Sequence, residues 1–291
     1  MSIYKALAII WQERPVVVIL PDPELFVLGS LIARLRGVRP VIDIHENYAK
    51  ATASRDWIPT WLKPPVRLTA HANDRIGRIV ASATIVAAEE LLTAGATLIP
   101  NIPDPGTLIP GPSESPEPTV VYIGDVTKAR GAYELADLAK RLPTVRFLVI
   151  GRLDGELKET MYQRAGPDSK LELRGQLPHA EAWTLARGSI AGLSLLHDLP
   201  AYVDAIATKL WEYCASGIPP VVTDLAGQRR FVEKIDPGLA GGSVDEIQGI
   251  IEHLGVDTSW RAAVSKRARE VVEDAWERNR PDLALSRAIQ P

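Results

Sequence analysis

Hydrophobic positions along the chain fall into two spacings that take turns. Ser2 to Glu13 sets Ile3, Leu7, Ile10 and Trp11 at helical intervals and stops before Pro15, which predicts a helix. Val16 to Leu20 is an unbroken apolar run, the pattern of a strand buried on both faces. Pro21-Asp22-Pro23-Glu24 then turns into the apolar stretch Leu25 to Leu35, with Asp22 suited to the N-cap and Pro23 to the first helical position. Gly37 ends that helix and Pro40 to Ile44 is the next strand. Strand, helix and strand in this order imply a parallel sheet with a right-handed crossover. Trp57 to Leu62 has no defined period. Leu68 to Arg78 predicts a helix, Ile79 to Val86 a strand and Ala88 to Gly95 a short helix, and Thr97 to Asn101 closes this half.

Asp104 to Pro118 is rich in Pro, Gly, Ser and Glu and has no periodicity, so it reads as a linker. The alternation then restarts. Strands are predicted at Thr119–Ile123, Val145–Ile150, Leu171–Leu173, Ile190–Leu196 and Pro220–Thr223. Helices are predicted at Ala132–Leu142, His179–Arg187, Val244–Leu254 and Ser259–Arg280, with a short one from Thr208 to Gly217. The expected fold is α/β, with two Rossmann-like lobes whose parallel sheets are flanked by helices. The expected boundaries are 1–103 for the first lobe, 104–118 for the linker, 119–275 for the second lobe and 276–291 for a terminal helix returning to the first.

Composition narrows the function. A hydrophobic fraction of 46% with 24% charged residues is that of a globular protein. A net charge of −3 gives no reason to expect nucleic acid. Residues 1–100 carry 11 Lys+Arg against 9 Asp+Glu, a slight excess that leaves room for contact with a membrane surface. The single cysteine, Cys214, excludes an internal disulfide and suits a reducing cytoplasm. No apolar run is long enough to span a bilayer, and the N-terminus lacks the basic region and cleavage site of a signal peptide. His71, His179, His197 and His253 show no metal-ligand spacing, and neither a metal nor another cofactor is expected.

Three stretches carry chemistry. His45-Glu46-Asn47-Tyr48 lies just past the carboxyl end of a strand, where open α/β sheets bind ligands. Gly124-Asp125-Val126-Thr127-Lys128-Ala129-Arg130-Gly131 joins a strand to a helix, and offers glycine for close approach, free helix amides and a guanidinium fork for phosphate. It matches neither the dinucleotide fingerprint nor the P-loop. In Ala207 to Val222, Lys209 and Glu212 share one face of a first helical turn. A cation and a carboxylate there suit a phosphorylated ligand with free hydroxyls.

Together these segments resemble the GT-B glycosyltransferases of the large retaining group that includes glycogen and sucrose synthases, family 4. The matching segments are Pro21-Asp22-Pro23-Glu24-Leu25, Asp43-Ile44-His45-Glu46, Ile99-Pro100-Asn101, Tyr122-Ile123-Gly124 with Arg130-Gly131, Val149-Ile150-Gly151, Arg174-Gly175 and the block from Thr208 through Lys209, Glu212 and Tyr213 to Gly217 and Pro219. The resemblance implies that the second lobe binds a nucleotide-activated sugar, a UDP-sugar before a GDP-sugar, and passes the sugar to an acceptor hydroxyl. It implies ribose on Glu212, pyrophosphate on Arg130 and Lys209, with Gly124, Gly131 and Thr208 beside them, and the base at the turn of Arg174 and Leu177. His45 and Asp204 would take the catalytic positions, and Glu46 and Asn47 would lie on the acceptor side. Asp204 replaces the first glutamate of the Glu-x7-Glu pair usual in such enzymes with an acid one methylene shorter, the second being Glu212. The acceptor class stays open among a saccharide, a lipid-linked saccharide and a small natural product.

The family's first lobe usually opens with further βα units before the strand at Val16, so this lobe reads as incomplete. A shortened lobe would expose sheet edge and apolar surface, which favours a homodimer or a partner subunit. The competing reading is a catalytically weak glycosyltransferase-like partner that binds a nucleotide or another glycosyltransferase.

Overall fold

The computed structural model describes residues 3–52, 58–108 and 117–290. Trp57 and most of the predicted linker, residues 109–116, lie outside the described residues. The chain divides into two compact units, Met1–Asn101 with Glu277–Pro291, and Ile102–Trp276.

The first unit opens with α1 (Ile3–Glu13), β1 (Val17–Leu20), α2 (Phe26–Leu35), β2 (Arg39–Ile44), the single turn α3 (Tyr48–Ala51), α4 (Lys63–Val80), β3 (Ala83–Val86) and β4 (Ala96–Leu98). Its four strands are parallel, in the order β1-β2-β3-β4, with Val17 opposite Arg39 and Val41 opposite Ala83. Strand β1 differs from expectation. It is an edge strand, and Val16 and Ile19 are exposed, whereas Val18 and Leu20 face Ala6 and Ile10 of α1. A continuous apolar run does not distinguish an edge from a central position.

Helix α4 starts earlier than its periodicity indicates, because Pro64 and Pro65 sit in the first turn, where no amide has an intrahelical partner to lose. It also takes Ile79 and Val80, so the strand expected from Ile79 begins only at Ala83. The helix predicted over Ala88–Gly95 is one 3-10 turn, Glu89–Leu91. Buried Leu91 fixes that turn, and Leu92 is already extended on the way to β4.

The second unit contains β5 (Thr119–Ile123), α5 (Ala132–Arg141), β6 (Arg146–Ile150), α6 (Gly155–Ala165), β7 (Lys170–Gly175), α7 (His179–Ala186), β8 (Ala191–Ser194), α8 (Thr208–Ala215), β9 (Pro220–Thr223), α9 (Ala226–Val232), β10 (Ala240–Gly241), α10 (Val244–Val256) and α11 (Thr258–Asn279), whose last residues belong to the first unit. Its sheet is parallel, in the order β10-β9-β8-β5-β6-β7. Val121, Phe147, Leu148, Leu193 and Val221 line its fully buried centre, against Leu135 and Leu138 of α5 and Leu210 of α8. Helix α6 has no counterpart among the predicted elements. Only Met161 and Ala165 of its eleven residues are buried, too few for a readable apolar stripe, although Asp154 caps it by accepting from the Glu156 amide at 2.7 Å.

At Arg280 the backbone turns through φ 38°, and Pro281 opens α12 (Pro281–Ile289), which lays Ala288 against Val41 and Ile85 of the first unit's sheet. Parallel sheets flanked by helices in both units are the α/β architecture expected from the alternating pattern.

Candidate functional site

In the second unit the chain reverses its direction of travel across the sheet at β5. Strands β6 and β7 are added on one side of it, then β8 and β9 on the other. Such a reversal leaves a crevice at the carboxyl ends of the two strands that flank it, here β5 and β8. The pairing of β5 with β8 is brief, Val120 with Ala191 and Val121 with Gly192. Beyond Gly192 a side chain takes over. The Tyr213 hydroxyl accepts from the Ile123 amide at 2.9 Å and donates to the Leu193 carbonyl at 3.3 Å, so it bridges the two diverging strands. Tyr213 rests its ring on Gly192, where a Cβ would come within 2.6 Å of it.

Both basic segments flank this crevice. The turn after β5 holds Gly124, a 3-10 turn at Lys128–Arg130 and Gly131, at φ 83°. A Cβ on Gly131 would stand 2.4 Å from the Leu195 Cβ and 2.6 Å from its carbonyl oxygen, so only glycine lets this turn seat against the end of β8. Gly124 and Gly151, which follow adjacent strands, also touch backbone to backbone: a Cβ on Gly151 would fall 1.8 Å from the Gly124 carbonyl oxygen. Arg130, half-buried, lies beside the Tyr202 side chain. Helix α8 follows β8, and Thr208 and Lys209 are its first two residues.

The Lys209 ammonium lies 3.5 Å from the centroid of the Tyr122 ring and against Gly124. It is enclosed and has no hydrogen-bond partner among the described residues. What exposure the residue keeps lies on its other atoms. Burial, followed by the nearby Arg130 guanidinium, pushes its pKa down to about 7, against the attraction of Glu212 and Asp125. A buried amine without an acceptor is costly. Arg130, Lys209, Gly124 and Glu212 are therefore brought to one crevice, with an anion's worth of donors unfilled.

The sequence reading passed over two members of this site. His179 Nε2 lies 2.9 Å from Glu212 Oε1 and 3.0 Å from Trp183 Nε1. The indole can only donate, so this nitrogen accepts from Trp183 or donates to Glu212, and does not do both at once. The only signal in the sequence is the i,i+4 spacing of His179 and Trp183 on α7. Tyr213 lies within the matching block from Thr208 to Pro219, but that block assigned it no role.

Other predicted residues are engaged in contacts of their own. Arg174 is engaged with Glu172, two residues earlier on β7, and Glu172 also receives a two-pronged contact from Arg146 at 2.8 and 2.9 Å. Leu177 packs on the hydrophobic core. Asp204 pairs in solvent with Arg230 at 3.1 Å, and its backbone supports α9 through Gly227.

In the first unit His45 uses both ring nitrogens. Its Nε2 is 3.0 Å from Asp43 Oδ2, and its Nδ1 is 3.2 Å from Asn101 Nδ2. The Asn101 amide donates, so Nδ1 accepts and Nε2–H donates to the carboxylate. The hydrogen bond to Asp43 raises the His45 pKa above its ordinary value, against partial burial, which lowers it. Asn47 caps α3 by accepting from the Lys50 amide at 3.0 Å, and Glu46 sits between them on the loop. Among the described residues, no group of three or more His, Cys, Asp or Glu is disposed to hold a metal ion.

Solved structures with this architecture are numerous. Sucrose-phosphate synthase from Thermosynechococcus elongatus superposes with a TM-score of 0.69 at 16% identity, over 96% of this chain and 73% of that one. The Anabaena protein HepE in complex with UDP and glucose gives 0.69 at 15% identity, over 92% and 76%. The UDP-forming trehalose-phosphate synthase from Burkholderia xenovorans, with glucose-6-phosphate, gives 0.62 at 12% identity, over 95% and 76%. At these identities the likeness is one of fold, that of the GT-B glycosyltransferases. No significant match is found among curated proteins. Residues 132–280, more than half of the chain and the stretch holding Lys209 and Glu212, match the family described as glycosyl transferase-like, and the chain belongs to that family.

Proposed function

We propose that this protein is a retaining, metal-independent glycosyltransferase of family 4 that takes its sugar from a nucleotide-sugar, with UDP-sugars favoured. The observation that carries the reading is the enclosed ammonium of Lys209, over the Tyr122 ring but without a hydrogen-bond acceptor among the described residues, beside Gly124 and Arg130, with Glu212 one turn further along the same helix. Two cations answer a diphosphate, and a carboxylate answers the two hydroxyls of a ribose. The likeness to HepE, which binds UDP and glucose and binds UDP-glucose, supports a UDP-sugar donor.

Departure of a nucleoside diphosphate builds negative charge on the leaving oxygen. Lys209 and Arg130 neutralise that charge in a site already arranged for it, which lowers the barrier without reorganisation. The sugar left behind gains oxocarbenium character and needs electron-rich neighbours. Asp204 is assigned to that role on the resemblance, after release from Arg230. For His45 the resemblance implies a place near the transferred sugar, and its fixed tautomer suits a group that must present one face. Arg174 and Leu177 are assigned to the base, and Glu46 and Asn47 to the acceptor side. The acceptor is a saccharide, a lipid-linked saccharide or a small natural product.

Titration calorimetry with UDP, UDP-sugars and GDP tests the donor site. Wild type is expected to bind UDP, and Glu212→Ala to lose about 2 kcal/mol of that affinity, about thirtyfold. Absence of UDP binding by wild type refutes the donor-site assignment. Binding without turnover on any acceptor transfers the reading to a catalytically weak partner protein.

A further inference from the structure

The first unit carries an outer surface that the donor site does not use. Helix α4 turns Gly77 inward, so close to α2 that a Cβ there would stand 2.8 Å from the Phe26 Cβ. At about 100° per residue, the outward half of α4 then splits into two bands. Leu68, Ala72, Ile76 and Ile79 occupy an arc of roughly 80° on the side next to α2, and Arg67, His71 and Arg75 occupy the adjoining arc of similar width. The exposures agree with this division: Leu68 is 70% and Ile79 79% exposed. Trp61, 77% exposed, continues the apolar band one turn before α4 begins. On the neighbouring helix, Leu28, Leu31 and Leu35 repeat at i, i+3 and i+7 and are exposed as well. Asn73 donates to the Pro23 carbonyl and Arg34 reaches the Ala81 carbonyl, so the two helices lie side by side and their apolar bands adjoin.

Scattered exposed leucines are ordinary, whereas an adjoining patch from two helices marks a contact surface. Charge decides which contact. Residues 61–80 hold four Lys and Arg against one carboxylate, Asp74, in a chain whose net charge is −3. Asp74 is taken by Arg78 at 3.1 Å. Arg67 and Arg75 have no ion pair among the described residues, and no carboxylate lies between Leu28 and Leu35. An apolar band with an exposed tryptophan and an unpaired cationic border matches the boundary between acyl chains and anionic headgroups. No helix among the described residues is long and apolar enough to cross a membrane.

We propose that the outer face of α2 and α4 docks this protein in plane on an anionic bilayer, with Leu35, Leu68 and Ile79 in the acyl boundary and Arg67 and Arg75 on the headgroups. The proposal stands apart from the donor site, since it uses only the first unit.

Sedimentation of the full chain with vesicles tests it. Binding is expected to vesicles containing phosphatidylglycerol and to fall at least tenfold on pure phosphatidylcholine. Each cation near such a surface contributes about 1 kcal/mol, so Arg67→Ser with Arg75→Ser is expected to weaken binding about thirtyfold and to lessen its dependence on salt. Leu68→Glu with Ile79→Glu is expected to abolish it. The melting temperature of each variant, measured without vesicles, is expected to match wild type, because these side chains are exposed. Failure of wild type to sediment with anionic vesicles overturns the proposal, as does equal binding to both vesicle types. A dimer in solution that Leu68→Glu with Ile79→Glu dissociates would assign this face to a second copy instead.

Discussion

The Lys209 amine offers the most direct physical check on the donor site. Its pKa is pushed down to about 7 from an ordinary 10.5, first by burial and then by Arg130. At about 1.36 kcal/mol per decade, that depression is worth about 5 kcal/mol. Rotation of the side chain toward solvent returns part of it, so the figure is a ceiling. The unfolded chain binds a proton at this amine that the folded protein refuses between about pH 7 and 10.5. Stability therefore rises with pH across that window, and the penalty is fully present below pH 7 and gone above 10.5. Lys209→Met is expected to be more stable than wild type at pH 7, by about 1–4 kcal/mol in urea denaturation, with the difference closing toward pH 10.

Nucleotide reverses the same balance. A diphosphate beside Lys209 favours the charged form, so binding at pH 8 draws in a proton that the free protein holds only about one time in ten. Calorimetry with UDP in Tris and in HEPES, whose ionisation enthalpies differ, is expected to report uptake of about 0.9 protons at pH 8. The terminal phosphate is fully ionised there and contributes nothing. Lys209→Arg, which does not titrate in this range, is expected to bind with no uptake. UDP binding by wild type with uptake below about 0.2 protons would refute the idea that Lys209 waits neutral for the diphosphate. A Lys209→Met variant less stable than wild type at every pH would refute the strain itself.

Three further outcomes follow from contacts near the crevice and in the first unit. Tyr213→Phe strands the Ile123 amide and the Leu193 carbonyl in a buried place, and is expected to cost about 1–3 kcal/mol in urea denaturation. Gly131→Ala forces a side chain onto Leu195 at φ 83°, and is expected to weaken UDP binding at least tenfold in calorimetry, because Arg130 is carried on the same turn. Gly77→Ala drives a methyl against Phe26 and is expected to destabilise the first unit by about 1–3 kcal/mol, read by hydrogen exchange in β1 and β2, with UDP affinity unchanged.

The parts of the fold legible in the sequence were those whose burial has one period. The strands at Val120 to Ile150 are covered on both faces, so their apolar runs read directly, and the α/β class followed from the alternation. Strand β1 misled because an edge strand in an apolar unit keeps the same run while exposing Val16 and Ile19. Helix α6 was invisible because it lies on the surface with two buried residues. In the crevice, Lys209 and Arg130 were legible as a cation on a helix start and a guanidinium on a glycine turn. Their enclosure was not legible, since it depends on Tyr122 and Gly124 arriving from another strand.

His179 shows the limit most clearly, because its importance comes entirely from meeting Glu212 across 33 positions. Tyr213 is similar: one hydroxyl does the work of two ladder hydrogen bonds where β5 and β8 part. If the ladder had continued past Gly192, the strands would close the space between the Gly124 turn and the start of α8. The tyrosine keeps Ile123 and Leu193 satisfied while leaving them apart, so the same residue that stabilises the sheet bridges the two strands where they part. With Glu212 taken as the ribose-binding carboxylate of the proposed function, Lys209, Glu212 and Tyr213 place strand bridging, charge and hydroxyl recognition on one short helix.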